Sequence, residues 1–146
     1  MIEAEEIKSW IINGPDREIL KSIDQFSERI AHNLKKTPIG QEKNDESVTR
    51  AQIRQIFSKM KTIEAKGIKD TELLSQKSEF LMLKPLIAYA AGRHNKKGLT
   101  EFKKVLSTSI DYVTEATDDK EWKKRFKNFC KLFEAILAYH RAHGGN

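Results

Sequence analysis

With 146 residues, 33% of them charged and 38% hydrophobic, the chain has material for one buried core and is too apolar to stay disordered. No apolar run approaches the roughly 20 residues that span a bilayer, and the acidic N-terminus MIEAEEIKSWII lacks a basic leader, so neither a membrane segment nor a signal peptide is expected. The net charge of +6 is uneven: −3 over residues 1–47, +4 over 48–92 and +5 over 93–146, which points to a polyanionic partner.

The composition and spacing predict an all-α protein, a single bundle of five or six helices over 1–146, with 1–47 the less defined part and 48–143 the core. Ile7, Trp10 and Ile11 mark a short first helix that Asn13-Gly14-Pro15 ends. Asp16 can cap a second helix, with Ile19, Ile23, Phe26, Ile30 and Leu34 on its inner face. Residues 35–47 (KKTPIGQEKNDES) have no period and read as a mobile loop. Thr49 and Gln52 form a capping box for the next helix, whose buried stripe is Ile53, Ile56, Phe57, Met60 and Ile63 and whose end is set by Gly67.

Residues 71–91 are apolar on nearly every side, which predicts a central helix, kinked near Leu81–Lys84 by Pro85. Gly92 suits its C-terminus, and residues 93–98 read as a short basic connection. Phe102, Val105, Leu106, Ser109, Ile110 and Val113 supply the inner face of the helix over 99–117. The last helix, 120–143, is capped by Asp118 or Asp119. Trp122, Phe126, Phe129, Cys130, Phe133, Ile136 and Leu137 recur on one face, and Lys120, Lys123, Lys124, Lys127 and Lys131 on the other. Gly144-Gly145-Asn146 is expected to fray.

Motifs for nucleotide-phosphate binding, dinucleotide binding and a nucleophile elbow are missing, no cofactor is called for, and no catalytic residues emerge. The lone Cys130 excludes an intrachain disulfide, fits a reducing, cytoplasmic compartment, and reads as a small core residue. His140 and His143 are a weak pair for a metal, so no metal site is expected. The cations form three groups: Arg50, Arg54 and Lys61 on one helix line; Arg93, Lys96 and Lys97 at a helix end; and Lys124, Lys127 and Arg141 on the last helix. Such rows suit phosphate contact without base reading. The competing reading is a solvated helix face, and for Arg93 an ion pair with Glu134. His94 and Tyr139 are the rings expected to be exposed.

Three stretches, TRAQIRQIF at 49–57, LKPLIAYAAGR at 83–93 and FKNFCKLFEAILAYH at 126–140, lie in an order and spacing that resembles the small subunit of type III-A CRISPR effector complexes. The resemblance implies a helical bundle without an active site. Such subunits stack as several copies beside the backbone subunits that hold the guide RNA. It implies guide RNA and target RNA as partners, together with the backbone and large subunits and other copies of the chain, and it carries over Arg50, Arg54 and Arg93 as RNA contacts. Contact with other subunits is expected on the first two helices. Two further readings are a structural oligomerisation module without an RNA role and a helix-turn-helix DNA binder. The second lacks a polar recognition helix.

Overall fold

The computed structural model describes residues 2–33, 35–36, 44–66 and 70–145. Its elements are α1 (Ala4–Asn13), α2 (Arg17–Glu28) with a π turn over Arg29–Asn33, and a two-residue ladder of β1 (Lys35–Lys36) and β2 (Asn44–Asp45). Then come α3 (Arg50–Ala65), a 3-10 turn over Asp70–Glu72, α4 (Leu73–Leu81), α5 (Leu83–His94), α6 (Lys97–Thr114) and α7 (Asp119–Ala142). The all-α bundle is as the periodicities require.

The centre of the bundle is α7, which packs on α1, α2, α3 and α6. Trp122, Phe126, Phe129, Cys130, Phe133 and Ile136 are all buried, one face of a 3.6-residue period. Phe80 of α4 meets three of these rings edge-on, with centroid distances of 5.7 Å to Trp122, 5.1 Å to Phe126 and 5.0 Å to Phe129. Each such pair adds about 0.5–1.5 kcal/mol to the burial itself. On the other side, α1 is fastened to α7 by two buried hydrogen bonds. Trp10 Nε1 donates to the Asn128 carbonyl at 2.9 Å, and Asn128 Nδ2 donates to the Ile11 carbonyl at 2.9 Å.

The helix starts follow the sequence. Asp16 Oδ1 accepts from the N–H groups of Glu18 and Ile19, and Asp118 Oδ1 accepts from that of Glu121 at 2.7 Å. At α3 the Gln52 N–H donates to Thr49 Oγ1 at 3.2 Å while the Thr49 N–H donates to Gln52 Oε1 at 2.8 Å, which completes the capping box.

Several expectations are corrected. Residues 71–91 are not the central element: α5 packs on α3 and α6, and Leu74, Leu81, Met82 and Tyr89 are exposed. Apolar residues on all sides show that two faces seek cover, not that this chain covers both. Pro85 divides this stretch in two. Lacking an N–H, it leaves the Leu81 carbonyl without its helical partner, and the chain turns at Met82 (φ −70°, ψ −9°). Gly92 does not end α5; the helix runs two residues on and stops at Asn95, in the left-handed region at φ 48°. The basic connection therefore shrinks, because Arg93 and His94 are helical and Lys97 already opens α6.

The loop expected over 35–47 is docked at its described end. Ser47 and Val48 are buried, the Val48 N–H donates to the Ile30 carbonyl at 2.7 Å, and the Gly98 N–H donates to the Glu46 carbonyl at 2.8 Å. Leu34, residues 37–43, the proposed stop at Gly67 and Asn146 lie outside the described residues. Gly145 does not fray: it is buried against the His140 ring, and its N–H donates to the His140 carbonyl at 2.8 Å.

Candidate nucleic-acid interface

The burial of Ile53, Ile56, Met60 and Ile63 turns one side of α3 to the core. At 100° per residue, Arg50, Arg54 and Lys61 then fall within about 40° of one another on the flank toward α7. On α7 the same reasoning leaves an outer row of Lys120, Lys124, Lys127, Lys131, Glu134 and Arg141, all exposed. The two helices run antiparallel. Lys61 Nζ lies 2.9 Å from Glu134 and 3.0 Å from Glu64, and the Phe57 ring is 5.3 Å from that of Phe133. Between them runs an open groove of about 610 Å³ lined by Phe57, Glu134, Leu137, Ala138, Arg141 and Ala142.

Six of the nine predicted site residues border this face: Arg50, Arg54, Lys61, Lys124, Lys127 and Arg141. They are not equivalent. The hydrogen bond to Glu134, then that to Glu64, pushes the Lys61 ammonium well above the ordinary lysine range. Lys61 is thus committed to two carboxylates, one of them Glu134, the acid in the α7 row. Arg50 is half-buried, with its Nε shielded and without a hydrogen-bond partner. Lys124 lies 3.9 Å from Glu121, a loose exposed pair of little energetic weight. Arg54, Lys127 and Arg141 are exposed and make no ion pair among the described residues, and Lys120 and Lys131 extend the same set.

The other three predicted residues lie elsewhere. Arg93 lines a cleft of about 100 Å³ between α3 and α5, together with Gln55, Ile56, Leu86, Tyr89 and His94. The ion pair with Glu134 that was the alternative for Arg93 is not made; the arginine lies in this separate cleft, and the carboxylate pairs with Lys61. Lys96 Nζ reaches the Ser47 carbonyl at 3.4 Å. The Lys97 N–H donates to Glu46 Oε2 at 2.6 Å, so Glu46 satisfies the start of α6 while the Lys97 side chain stays exposed.

The histidine pair is also separated by its partners. His140 is fully buried with Nε2 at 2.8 Å from the Val48 carbonyl, while His143 bonds Asp24 of α2. Burial above all, and the nearby Arg50 charge, hold the His140 imidazole below the usual histidine range. Burial first, then the Glu64 carboxylate, drives the Cys130 thiol far upward, so it stays protonated. Tyr139 is half-buried against the core; the exposed tyrosine is Tyr89, 66% accessible. The sequence held a signal for it, since Leu74, Leu81, Pro85 and Tyr89 share a helical line. Among the described residues no three metal-ligating side chains converge, and no helix is long and apolar enough to cross a membrane.

Comparison with known proteins gives one family: the model described as Csm2 Type III-A matches residues 18–146. Neither a curated protein nor a solved structure gives a match.

Proposed function

We propose, from the premise that this chain belongs to the Csm2 type III-A family, that it meets the RNA of its complex through the α3–α7 face. The family comprises structural small subunits of type III-A CRISPR effector complexes, so the chain is a component of a multisubunit assembly with other Csm subunits. The partners are guide RNA and target RNA, the backbone and large subunits, and further copies of the chain. The chain contributes no bond-breaking step.

One observation carries the reading: the outer row of α7 offers cations from Lys120 to Arg141, and its acid, Glu134, is paired with Lys61 rather than with any of them. A phosphate chain laid along this face meets Lys127, Lys131, Arg54 and Arg141 with no internal carboxylate to displace. Binding of this kind follows charge and spacing, because ammonium and guanidinium groups release condensed counterions without reading bases. In an RNA-guided complex that is sufficient, since base pairing supplies sequence recognition. Several copies along one RNA would multiply weak individual contacts.

The test is fluorescence anisotropy of single-stranded RNAs of unrelated sequence, titrated with the full chain at several salt concentrations. Weak binding that ignores sequence and fades steeply with salt is expected. The competing reading, an assembly module without RNA contact, is favoured by the exposed apolar residues of α4 and α5. It predicts no binding even at low salt.

A further inference from the structure

The segment 46–48, which joins the short ladder to α3, is tied down by α6, the π turn and α7. Glu46 Oε2 accepts from the Lys97 N–H at 2.6 Å, and the Glu46 carbonyl accepts from the Gly98 N–H at 2.8 Å. Lys96 Nζ reaches the Ser47 carbonyl at 3.4 Å. The Val48 N–H donates to the Ile30 carbonyl of the π turn at 2.7 Å. The Val48 carbonyl, just before α3 begins, accepts from His140 Nε2 at 2.8 Å. Of the side chains that hold this segment, histidine is the one that ordinarily changes charge near neutral pH.

The His140 ring is closed in. It is fully buried, and its Nδ1 has no partner. The end of the chain forms the cover. Gly144 turns at φ 79°, and the Gly145 N–H donates to the His140 carbonyl at 2.8 Å. The Gly145 backbone lies so close that an added Cβ would come within 2.0 Å of the ring Cε1 and 2.2 Å of Nδ1. A proton on Nδ1 therefore finds neither an acceptor nor solvent while the cover is seated.

The surrounding charges give no relief. Arg50, the first residue of α3, adds a positive field, and its own Nε is shielded and unpartnered. On α2, Asp24 and Glu28 face His143 instead. In the π turn, His32 meets the His143 ring edge-on, and Arg29 is joined to Glu101 of α6. Glu46 is turned to the start of α6.

We propose that His140 is a proton-operated latch, whose charging drives the ring from under the Gly144-Gly145 cover and releases residues 46–48 and the start of α3 while the rest of the bundle stays folded. An imidazolium in the closed site would be a buried charge without a counter-charge, which is costly. Opening removes that cost locally, because the cover is the chain end and the segment is short, whereas the Trp122–Ile136 stripe of α7 lies deeper in the core. Burial holds the closed ring below the ordinary histidine range. The open form therefore binds the proton more readily and gains on the closed form by up to about tenfold for each pH unit below about 6.5. Since Thr49 caps α3 and Arg50 opens it, acid loosens the α3 end of the α3–α7 face. The inference does not depend on RNA contact.

The experiment is residue-resolved hydrogen exchange by NMR on the full chain, between about pH 7.5 and about pH 5.5, with rates corrected for their intrinsic pH dependence. The amides of Val48, Gly98 and Gly145 should exchange through an opening well short of global unfolding and insensitive to low urea. Their protection should fall by up to about tenfold between about pH 6.5 and pH 5.5. The fall should vanish in His140→Gln, which keeps a donor for Val48, and persist in His143→Gln. Gly145→Ala cannot seat its methyl over the ring, so the same amides should be weakly protected already at neutral pH. Exchange of these amides only with global unfolding, or an unchanged pH response in His140→Gln, overturns the proposal. So does full protection with an unchanged response in Gly145→Ala. Should His140→Gln fail to fold, the wild-type ring decides: a His140 that titrates near pH 6.5 while the Val48 amide stays protected overturns the latch equally.

Discussion

Acid should weaken this fold through one residue, His140. Its ring has no exposed surface, Nε2 is 2.8 Å from the Val48 carbonyl and so carries the proton, and Nδ1 is buried with no partner. A second proton would have to sit on Nδ1, shielded from water and near the Arg50 charge. The folded state therefore holds this histidine below its usual pKa, with burial the leading cause. The unfolded chain binds the proton more readily, so the neutral ring's contribution is complete above about pH 6.5 and declines as the pH falls below it. One proton changes stability by at most about 1.4 kcal/mol per pH unit, which gives up to about 2 kcal/mol between pH 6.5 and pH 5. Urea denaturation of the wild type and His140→Gln across that range measures it. Glutamine can still donate to Val48 but does not titrate, so the difference between the two proteins isolates this one ring. Parallel pH profiles for the two proteins would refute the reasoning.

Three further outcomes follow from the packing. Phe80→Ala removes a fully buried ring held by three aromatic neighbours and should cost about 3–5 kcal/mol, whereas Leu74→Ser, at 79% exposure, should stay within about 0.5 kcal/mol by the same urea measurement. Asn128→Ala leaves the Ile11 carbonyl without its donor and should cost about 1–3 kcal/mol. Gly98→Ala should destabilise by about 1–3 kcal/mol and shift the thermal midpoint down, since an added Cβ would lie 2.6 Å from the Glu46 carbonyl oxygen and 3.0 Å from a Val48 methyl.

What the sequence made legible were the features decided within a few residues. The α7 stripe, the α3 stripe and the caps at Asp16, Thr49 and Asp118 all depend on side chains within one turn of each other, so spacing alone predicts them. What it hid were contacts made across the chain. Nothing near Lys61 reveals that Glu134, 73 positions away, will hold it. Elimination gave the expectation that other subunits meet the first two helices; the structure shows that Ile7, Trp10, Ile11, Ile19, Ile23 and Phe26 of these helices are buried against the bundle, and that the exposed large apolar residues lie on α4 and α5 and at Met82 between them. Periodicity reports how many faces of a helix are apolar. It does not report which of them this chain covers. Gly92 was misleading for a related reason: a glycine suits a helix end, but the left-handed turn was supplied by Asn95. Of the candidate site, the residue types and their two helices were readable; the division into free cations and committed ones required the fold.

The most direct measurement is the slope of log binding constant against log salt for single-stranded RNA, compared between two triple variants that remove the same charge. One replaces the free cations Arg54, Lys127 and Arg141 by alanine. The other replaces Lys21, Lys66 and Lys77, which are paired with Glu18, Glu79 and Asp119. At about 0.7 per phosphate contact on a single strand, loss of the free set should flatten the slope by about 2, while loss of the paired set should leave it near that of the wild type. Equal slopes for the two variants would mean that RNA responds to net charge alone, and the α3–α7 face would then have no special claim on it.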